Sequence, residues 1–381
     1  MKKINPSATL TITSKAKAMK AGGLDVINFG AGEPDFDTPD YIKDYAIEAI
    51  RKGKTKYTPS TGTVELRKAI CKKLLEFNKL EYEPDDIIVS NGAKHTLYNI
   101  FQAICDKGDE VIIPSPYWVS YPEMVNLAGA KPVFIKTSAE NKFKLTAKEI
   151  SPFLTKKTKA LILNSPSNPT GSVYSGQELE KIFSLLADSN LTVVADEIYE
   201  RLIYDGLTHT SFAALNQRAK EITILVNGVS KTYAMTGWRI GYLASSDKGL
   251  TKAIKNLQDH STSNPSSISQ EAALAALTKE DDSVESMKKE FKKRRDYMFE
   301  RIEKITGLSC VKPQGSFYCF VDVSKIDNDS LRFAKRLLED KMVAVIPGEG
   351  FGAPGYIRLS FATSLENIEK GLDRIEEWVK Q

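Results

Sequence analysis

Short runs of Val, Ile and Leu recur through the middle of the chain without polar residues alternating between them. Such runs predict strands buried on both faces, at 86–90, 110–113, 159–164, 191–195, 223–227 and 240–244. Between them apolar residues return at helical spacing. Leu97, Ile100, Phe101 and Ile104 do so within a predicted helix over 94–105, and another helix is predicted over 176–188. Strands alternating with helices predict an α/β fold with a mostly parallel sheet covered by helices. The C-terminal part has a different pattern. A long charged helix over 282–305 leads into a β-rich stretch at 316–323, a helix at 329–340, short strands at 342–345 and 355–360, and a last helix at 365–380. That is an α+β unit. The expected division is a large domain over 36–280 and a small one over 281–381, with the segment 1–35 packing on the small domain. No repeat, low-complexity tract or Pro/Gly-rich linker separates the two, so close packing between them is expected.

A chain of 381 residues agrees with two domains. Hydrophobic residues make up 41% and charged residues 27%, an ordinary balance for a packed protein. Lys plus Arg is 53 and Asp plus Glu 49, a net charge of +4, which is too small an excess to indicate a nucleic-acid partner. No apolar run is long enough to span a bilayer, and Met1-Lys2-Lys3-Ile4-Asn5-Pro6-Ser7 lacks the apolar stretch of a secretory signal. Cys71, Cys105, Cys310 and Cys319 form no Cys-x-x-Cys pair and are expected to be reduced thiols, which with the rest predicts a cytoplasmic protein.

Several motifs fall short. Gly30-x-Gly32-x-x-Asp35 lacks the third glycine of a dinucleotide turn, and Pro34 and Pro39 oppose a helix there, so a structured loop is expected. Gly228-Val229-Ser230-Lys231-Thr232 has serine where a phosphate-binding P-loop needs glycine, and Thr232 where a nucleophile elbow needs glycine. His95, His209 and His260 lie in unrelated segments, so neither a metal site nor a histidine triad is expected.

The loops that follow the predicted strands carry a different chemistry. In open parallel sheets, ligands bind at the carboxyl ends of strands. There the chain places Asn91-Gly92-Ala93-Lys94, Ser115-Pro116-Tyr117-Trp118, Asn164-Ser165-Pro166-Ser167-Asn168-Pro169-Thr170-Gly171, Asp196-Glu197-Ile198-Tyr199, and Ser230-Lys231 followed by Gly237-Trp238-Arg239-Ile240-Gly241. A small-residue helix start, an aromatic, an amide, a carboxylate, a phenol, a lysine and an arginine suit an anionic aromatic cofactor that reacts with amines.

With Gly30-Ala31-Gly32-Glu33-Pro34-Asp35-Phe36, Lys56-Tyr57-Thr58-Pro59 and Tyr356-Ile357-Arg358-Leu359-Ser360, these segments resemble the fold-type I, pyridoxal-phosphate-dependent class-I aminotransferases. Within them the similarity is greatest to the bacterial aspartate branch, and it covers nearly the whole chain. The resemblance implies that Lys231 forms the internal Schiff base with pyridoxal 5'-phosphate and then moves a proton at substrate Cα, for which burial and cations such as Arg239 must keep its amine neutral. It implies that Asp196 keeps the pyridine nitrogen protonated, although an Asp at a strand end also serves as a helix N-cap. Tyr199 and Asn168 resemble the partners of the ring 3-oxygen; a turn role for Asn168 is the alternative. Trp118 resembles the aromatic that stacks on the ring. The backbone of Gly92, Ala93 and Lys94 and the guanidinium of Arg239 would bind the phosphate. Tyr57 would reach the phosphate of the neighbouring subunit, which implies a homodimer. Many relatives carry a hydroxyl residue three before the lysine. Gly228 stands there in this chain, and Ser230 is the substitute.

For substrate, Arg358 resembles the clamp on the α-carboxylate, and Gly32 lies in the loop that closes over it. Lys94 matches the lysine that reads a distal carboxylate in the bacterial branch; a helix-surface lysine is the alternative. Asn5 stands where prephenate-accepting relatives carry a basic residue, though Lys3 is close by, and Thr9 falls in a segment that closes on substrate. The implied reaction is amino transfer from L-aspartate to 2-oxoglutarate. The alternatives are another transaminase (aromatic, alanine, kynurenine or prephenate type), a carbon–sulfur lyase, or a silent regulator that keeps the fold.

Overall fold

The computed structural model describes residues 8–279 and 281–380. Lys3, Asn5 and the side chain of Thr9 lie outside what is described, so their expected roles stay there.

Seven strands form one sheet: β1 Ile87–Ser90, β2 Glu110–Ser115, β3 Lys131–Lys136, β4 Thr158–Asn164, β5 Thr192–Asp196, β6 Thr223–Gly228 and β7 Gly241–Ala244. Their order is β1-β7-β6-β5-β4-β2-β3. β2 to β6 run parallel with their neighbours among themselves, and β7 runs antiparallel between β1 and β6. The six predicted strands are all present. β3 was not singled out by the pattern. It is an edge strand, mostly open to solvent, and Lys131, Pro132 and Lys136 confine its apolar run to Val133, Phe134 and Ile135.

The unbroken apolar runs have a simple cause, since successive side chains go to opposite faces and both faces are covered. Val111, Ile113, Ile162 and Val194 pack with Leu97, Ile100 and Phe101 of the helix Ala93–Ile104. Ile112, Leu161, Leu163 and Val193 pack on the other face with Leu179, Ile182 and Leu186 of the helix Gly176–Leu186. That helix begins in a capping box: Ser175 accepts from the Glu178 amide, and Glu178 reaches back to the Ser175 amide.

A second, antiparallel sheet is built from β8 Ser309–Cys310, β9 Tyr318–Asp322, β10 Ile346–Pro347 and β11 Tyr356–Ser360, in the order β10-β11-β9-β8. The helices Ser283–Lys304, Ser330–Lys341 and Leu365–Val379 pack with it around Phe291, Met298, Leu337, Leu372 and Ile375. Ile27 and Asn28 pair in parallel with Val343 and Ala344, and Ala16 of the helix Ala8–Ala21 packs on Leu338 and Ala344. One core cluster joins Tyr199 and Leu202, which follow β5, to Phe317 and Tyr318 of the second unit. No helix among the described residues is long and apolar enough to cross a membrane. All four cysteines are free.

Candidate active site

The carboxyl ends of β1, β4, β5 and β6 meet the amino end of β7, because Ser90 and Gly228 both pair with Gly241 across an antiparallel register. The predicted site loops therefore converge on one edge. Gly92 caps the helix Ala93–Ile104 with a φ of 88°. Its missing side chain matters: a Cβ there would lie 2.3 Å from Nη2 of Arg239, and a Cβ on Gly241 would lie 2.1 Å from the amide nitrogen of Ala93. Arg239 is held over this helix start by bonds from Nη1 to the Thr236 carbonyl at 2.8 Å and from Nη2 to the Asn91 carbonyl at 3.3 Å. Free helix amides beside a guanidinium that no carboxylate neutralises among the described residues form a cradle suited to a phosphate. Gly228 has no room for a side chain, since a Cβ would stand 2.8 Å from the Ile240 carbonyl. Ser230 is buried nearby.

Lys231 donates from Nζ to the carbonyl of Gly32 at 2.6 Å, and its ammonium stands 5.9 Å from the Tyr199 ring centroid. Burial pushes its pKa down to about 8; Glu33 opposes this, and the charges of Arg358 and then Arg239 assist it. The cation effect expected of Arg239 is thus shared, with Arg358 the larger contributor. Asp196 ends β5 almost fully buried. Its Oδ2 accepts from the Tyr121 hydroxyl at 2.6 Å, and its Oδ1 from the Ile198 amide at 3.3 Å. It caps a turn, not a helix. Burial raises its pKa to about 6, and these two hydrogen bonds hold it from going higher. A buried carboxylate with no cation bonded to it suits a protonated ring nitrogen.

Tyr199 bonds through its hydroxyl to that of Tyr318 at 3.0 Å. The backbone N–H of Asn168 donates to Asn164 Oδ1 at 2.9 Å, and Asn164 Nδ2 in turn donates to the Asp196 carbonyl at 2.9 Å. The turn role of Asn168 and a site role therefore coexist, because its Oδ1 accepts from Arg358 Nη1 at 2.9 Å. Arg358 is 2% exposed and lies 4.2 Å from the Tyr318 ring centroid. Its Nη2 donates to the Gly30 carbonyl at 3.2 Å, and its Nε has no partner. No salt bridge among the described residues neutralises it. A buried guanidinium with neutral partners and an open donor is prepared for a carboxylate. Trp118 packs edge-on against Tyr121, and the Lys94 ammonium lies 5.0 Å from its ring centroid. Partial burial and then Arg239 lower the Lys94 pKa. Tyr57 stands apart: it is 92% exposed, and its hydroxyl meets no hydrogen-bond partner among the described residues.

Sequence reasoning assigned no role to Tyr121 or Tyr318. Both look like core aromatics in the sequence, and only their hydroxyl partners set them apart. Of the histidines, His209 and His95 are half-buried, the His209 side chain being nearly covered, and His260 is exposed. Glu197, Glu200 and His209 gather within 4.8 Å, a grouping the sequence did not predict. Most of their atoms are already engaged: His209 Nε2 meets Glu197 at 2.9 Å, Ser211 donates to Glu197 at 2.7 Å, Asn78 donates to Glu200 at 2.8 Å, and Lys73 pairs with Glu200, while His209 Nδ1 meets no partner among the described residues. The group is a buried charge network. The loop over Gly30–Phe36 is irregular, as expected, with Asp35 held bidentately by Arg294 at 2.8 and 2.9 Å.

Residues 24–375 match the family model of aminotransferase class I and II, and the chain belongs to that family. Enzymes of this family depend on pyridoxal phosphate and act on amino and keto acids. The chain is 51% identical to the aspartate aminotransferase of Bacillus sp. (strain YM-2), covering 100% of this chain and 98% of that one. It is 47% identical to the probable aspartate/prephenate aminotransferase of Aquifex aeolicus (strain VF5), covering 99% and 97%. The crystal structure of the aspartate aminotransferase from Rhizobium meliloti superposes with a TM-score of 0.96 at 42% identity, covering 100% and 97%.

Proposed function

We propose that this chain is an aspartate aminotransferase that moves the amino group of L-aspartate to 2-oxoglutarate, giving oxaloacetate and L-glutamate by ping-pong kinetics. The observation that carries the substrate is a pair of cations with no carboxylate partner among the described residues: Lys94 lies against the Trp118 ring, and Arg358 acts on Lys231.

Lys231 would anchor pyridoxal phosphate through Nζ. The amides of Ala93 and Lys94, with Ser230 and Arg239, would hold its phosphate, while the Gly92 amide already donates to the Ser90 carbonyl at 2.7 Å; Trp118, Asn168, Asp196 and Tyr199 would hold its ring. When bound, the cofactor supplies the carbonyl carbon that receives the amino group and a ring that takes up the electron pair left at Cα. Arg358 binds the α-carboxylate with a two-pronged fork, and Gly32 closes over it. Lys94 binds the distal carboxylate. The Lys231 amine, whose pKa near 8 leaves about a tenth of it neutral at pH 7, would take the proton from Cα and return it at the cofactor's aldehyde carbon. Asp196 keeps its negative charge against the protonated ring nitrogen.

The two-domain division, 36–280 and 281–381 with 1–35 on the smaller unit, belongs to the same reading and is supported by the separate sheets and the Ile27–Val343 pairing. A homodimer with shared sites is supported by the outward Tyr57, and a cytoplasmic location by the free thiols.

The test is the specificity constant for aspartate, alanine, phenylalanine, kynurenine and prephenate in wild type and Lys94→Ala. Aspartate should lead in wild type. The substitution should cost it about 10- to 100-fold, the value of a charge-assisted hydrogen bond, while sparing monocarboxylic donors. Equal losses for all donors would defeat the assignment of Lys94. Preference for a neutral or aromatic donor in wild type would defeat aspartate as substrate.

A further inference from the structure

The segment that carries Tyr57 is irregular, yet two glutamine side chains hold it from beneath. Gln258 is 0% exposed near the end of the helix Lys248–Ser261. All four hydrogen-bonding positions of its amide are used. Its Oε1 accepts from Ser90 Oγ at 2.7 Å and from Asn99 Nδ2 at 3.2 Å; its Nε2 donates to the carbonyls of Ser60 at 2.5 Å and Val89 at 2.8 Å. Val89 and Ser90 are the last residues of β1, immediately before the Asn91–Gly92 turn. Asn99 lies on the helix whose first amides form the phosphate cradle. Ser60 lies three residues after Tyr57.

The Val89 amide also donates to the Thr61 carbonyl at 3.0 Å, and Gly62 packs so closely on Val89 that a Cβ would stand 2.7 Å from its Cγ2. Gln270, 1% exposed, completes the hold: its Oε1 accepts from the Thr63 amide at 2.8 Å, and its Nε2 donates to Thr58 Oγ1 at 3.0 Å. Gln258 alone touches all three parts: the strand end, the cradle helix and the Tyr57 loop. A neutral amide is the only side chain of this size that both accepts twice and donates twice. A carboxylate in its place would set one oxygen against both the Ser60 and Val89 carbonyls.

We propose that Gln258 is a positioning residue that locks the phosphate cradle of one subunit to the loop it extends toward its neighbour, so that cofactor affinity and subunit association rise and fall together. The proposal rests on the reading of the cradle and of Tyr57 given above. Gln258 touches no reacting atom and acts through Ser60 and Ser90.

The test compares wild type with Gln258→Glu and Ser90→Ala. The cofactor-stripped proteins are titrated with pyridoxal phosphate by Trp fluorescence, and dimer dissociation is followed by sedimentation. Gln258→Glu should weaken cofactor binding about tenfold or more and raise the dimer dissociation constant with it, as expected for buried acceptors left facing an acceptor. Ser90→Ala, which removes one of the four bonds, should move both constants the same way by about threefold, and it decides the matter if Gln258→Glu does not fold. In a Tyr57→Phe background the cofactor effect of Gln258→Glu should shrink, because part of what the amide positions is already gone. A folded variant with both constants unchanged overturns the proposal. So does a lower melting temperature with unaltered cofactor binding, and so does full additivity with Tyr57→Phe. If wild type itself takes up no pyridoxal phosphate, the failure lies in the proposed function and not in Gln258.

Discussion

At the scale of single residues, the site depends on charges that the fold keeps out of water. Asp196, ordinarily near 3.8, is lifted to about 6 chiefly by burial. Between those values the folded protein binds a proton that the unfolded chain has released, so this residue's contribution to stability falls as pH rises from about 4 to about 6 and then levels. Cofactor-free Asp196→Asn should therefore match wild type near pH 4 and exceed it at pH 7 by on the order of 3 kcal/mol, read from denaturant titrations at each pH. No gap at pH 7 would mean that the carboxylate is not strained by burial. Lys231→Ala should lower turnover by about 10⁴-fold or more without unfolding the protein. Tyr121→Phe should lower turnover far less, about tenfold, because the carboxylate loses an orienting hydrogen bond but keeps its charge. The residues with defined chemistry were legible in the sequence, for Lys231, Asp196, Arg239 and Arg358 lie in distinctive flanking patterns. Tyr121 and Tyr318 were not, because a buried tyrosine gives no sign in sequence of whether its hydroxyl meets a carboxylate, another phenol or nothing.

At the scale of elements, the strands with two covered faces were readable because burial on both sides makes an unbroken apolar run. β3 was not, since an exposed edge leaves only part of one face apolar. The helices Lys248–Ser261 and Ser267–Thr278 bury Gln258 and Gln270 on their inner faces. A polar residue at a core position blurs the very periodicity that would disclose the helix. Close approach between elements is equally hidden. Gly241→Ala would press a methyl onto the Ala93 amide, within the contact between β7 and the cradle helix. It should destabilise the protein by about 1–3 kcal/mol and weaken pyridoxal phosphate binding as well, measurable by thermal melts with and without cofactor. A change in melting temperature with unaltered cofactor affinity would show that the cradle tolerates the shift.

At the scale of the whole molecule, the proposed homodimer would divide each site between two chains through the outward Tyr57. Mixing Lys231→Ala with Tyr57→Ala subunits should restore activity that neither homodimer has in full. Half the dimers are then hybrids with one undamaged site of two, so recovery approaches about a quarter of the wild-type level. Recovery of nothing above the two parents would place Tyr57 in its own subunit's site or outside any site. Nothing in the one-chain pattern of apolar and polar residues announces such sharing, because an exposed tyrosine is ordinary on its own.

The solitary guanidinium of Arg358 has a practical side for anyone handling this protein. Succinate or maleate brings two negative groups and no amine, and so offers that pocket a counterion it lacks at rest. Storage in such a salt should lift the melting temperature in proportion to the logarithm of its concentration. Arg358→Leu should erase that lift, and chloride at matched ionic strength should never produce it.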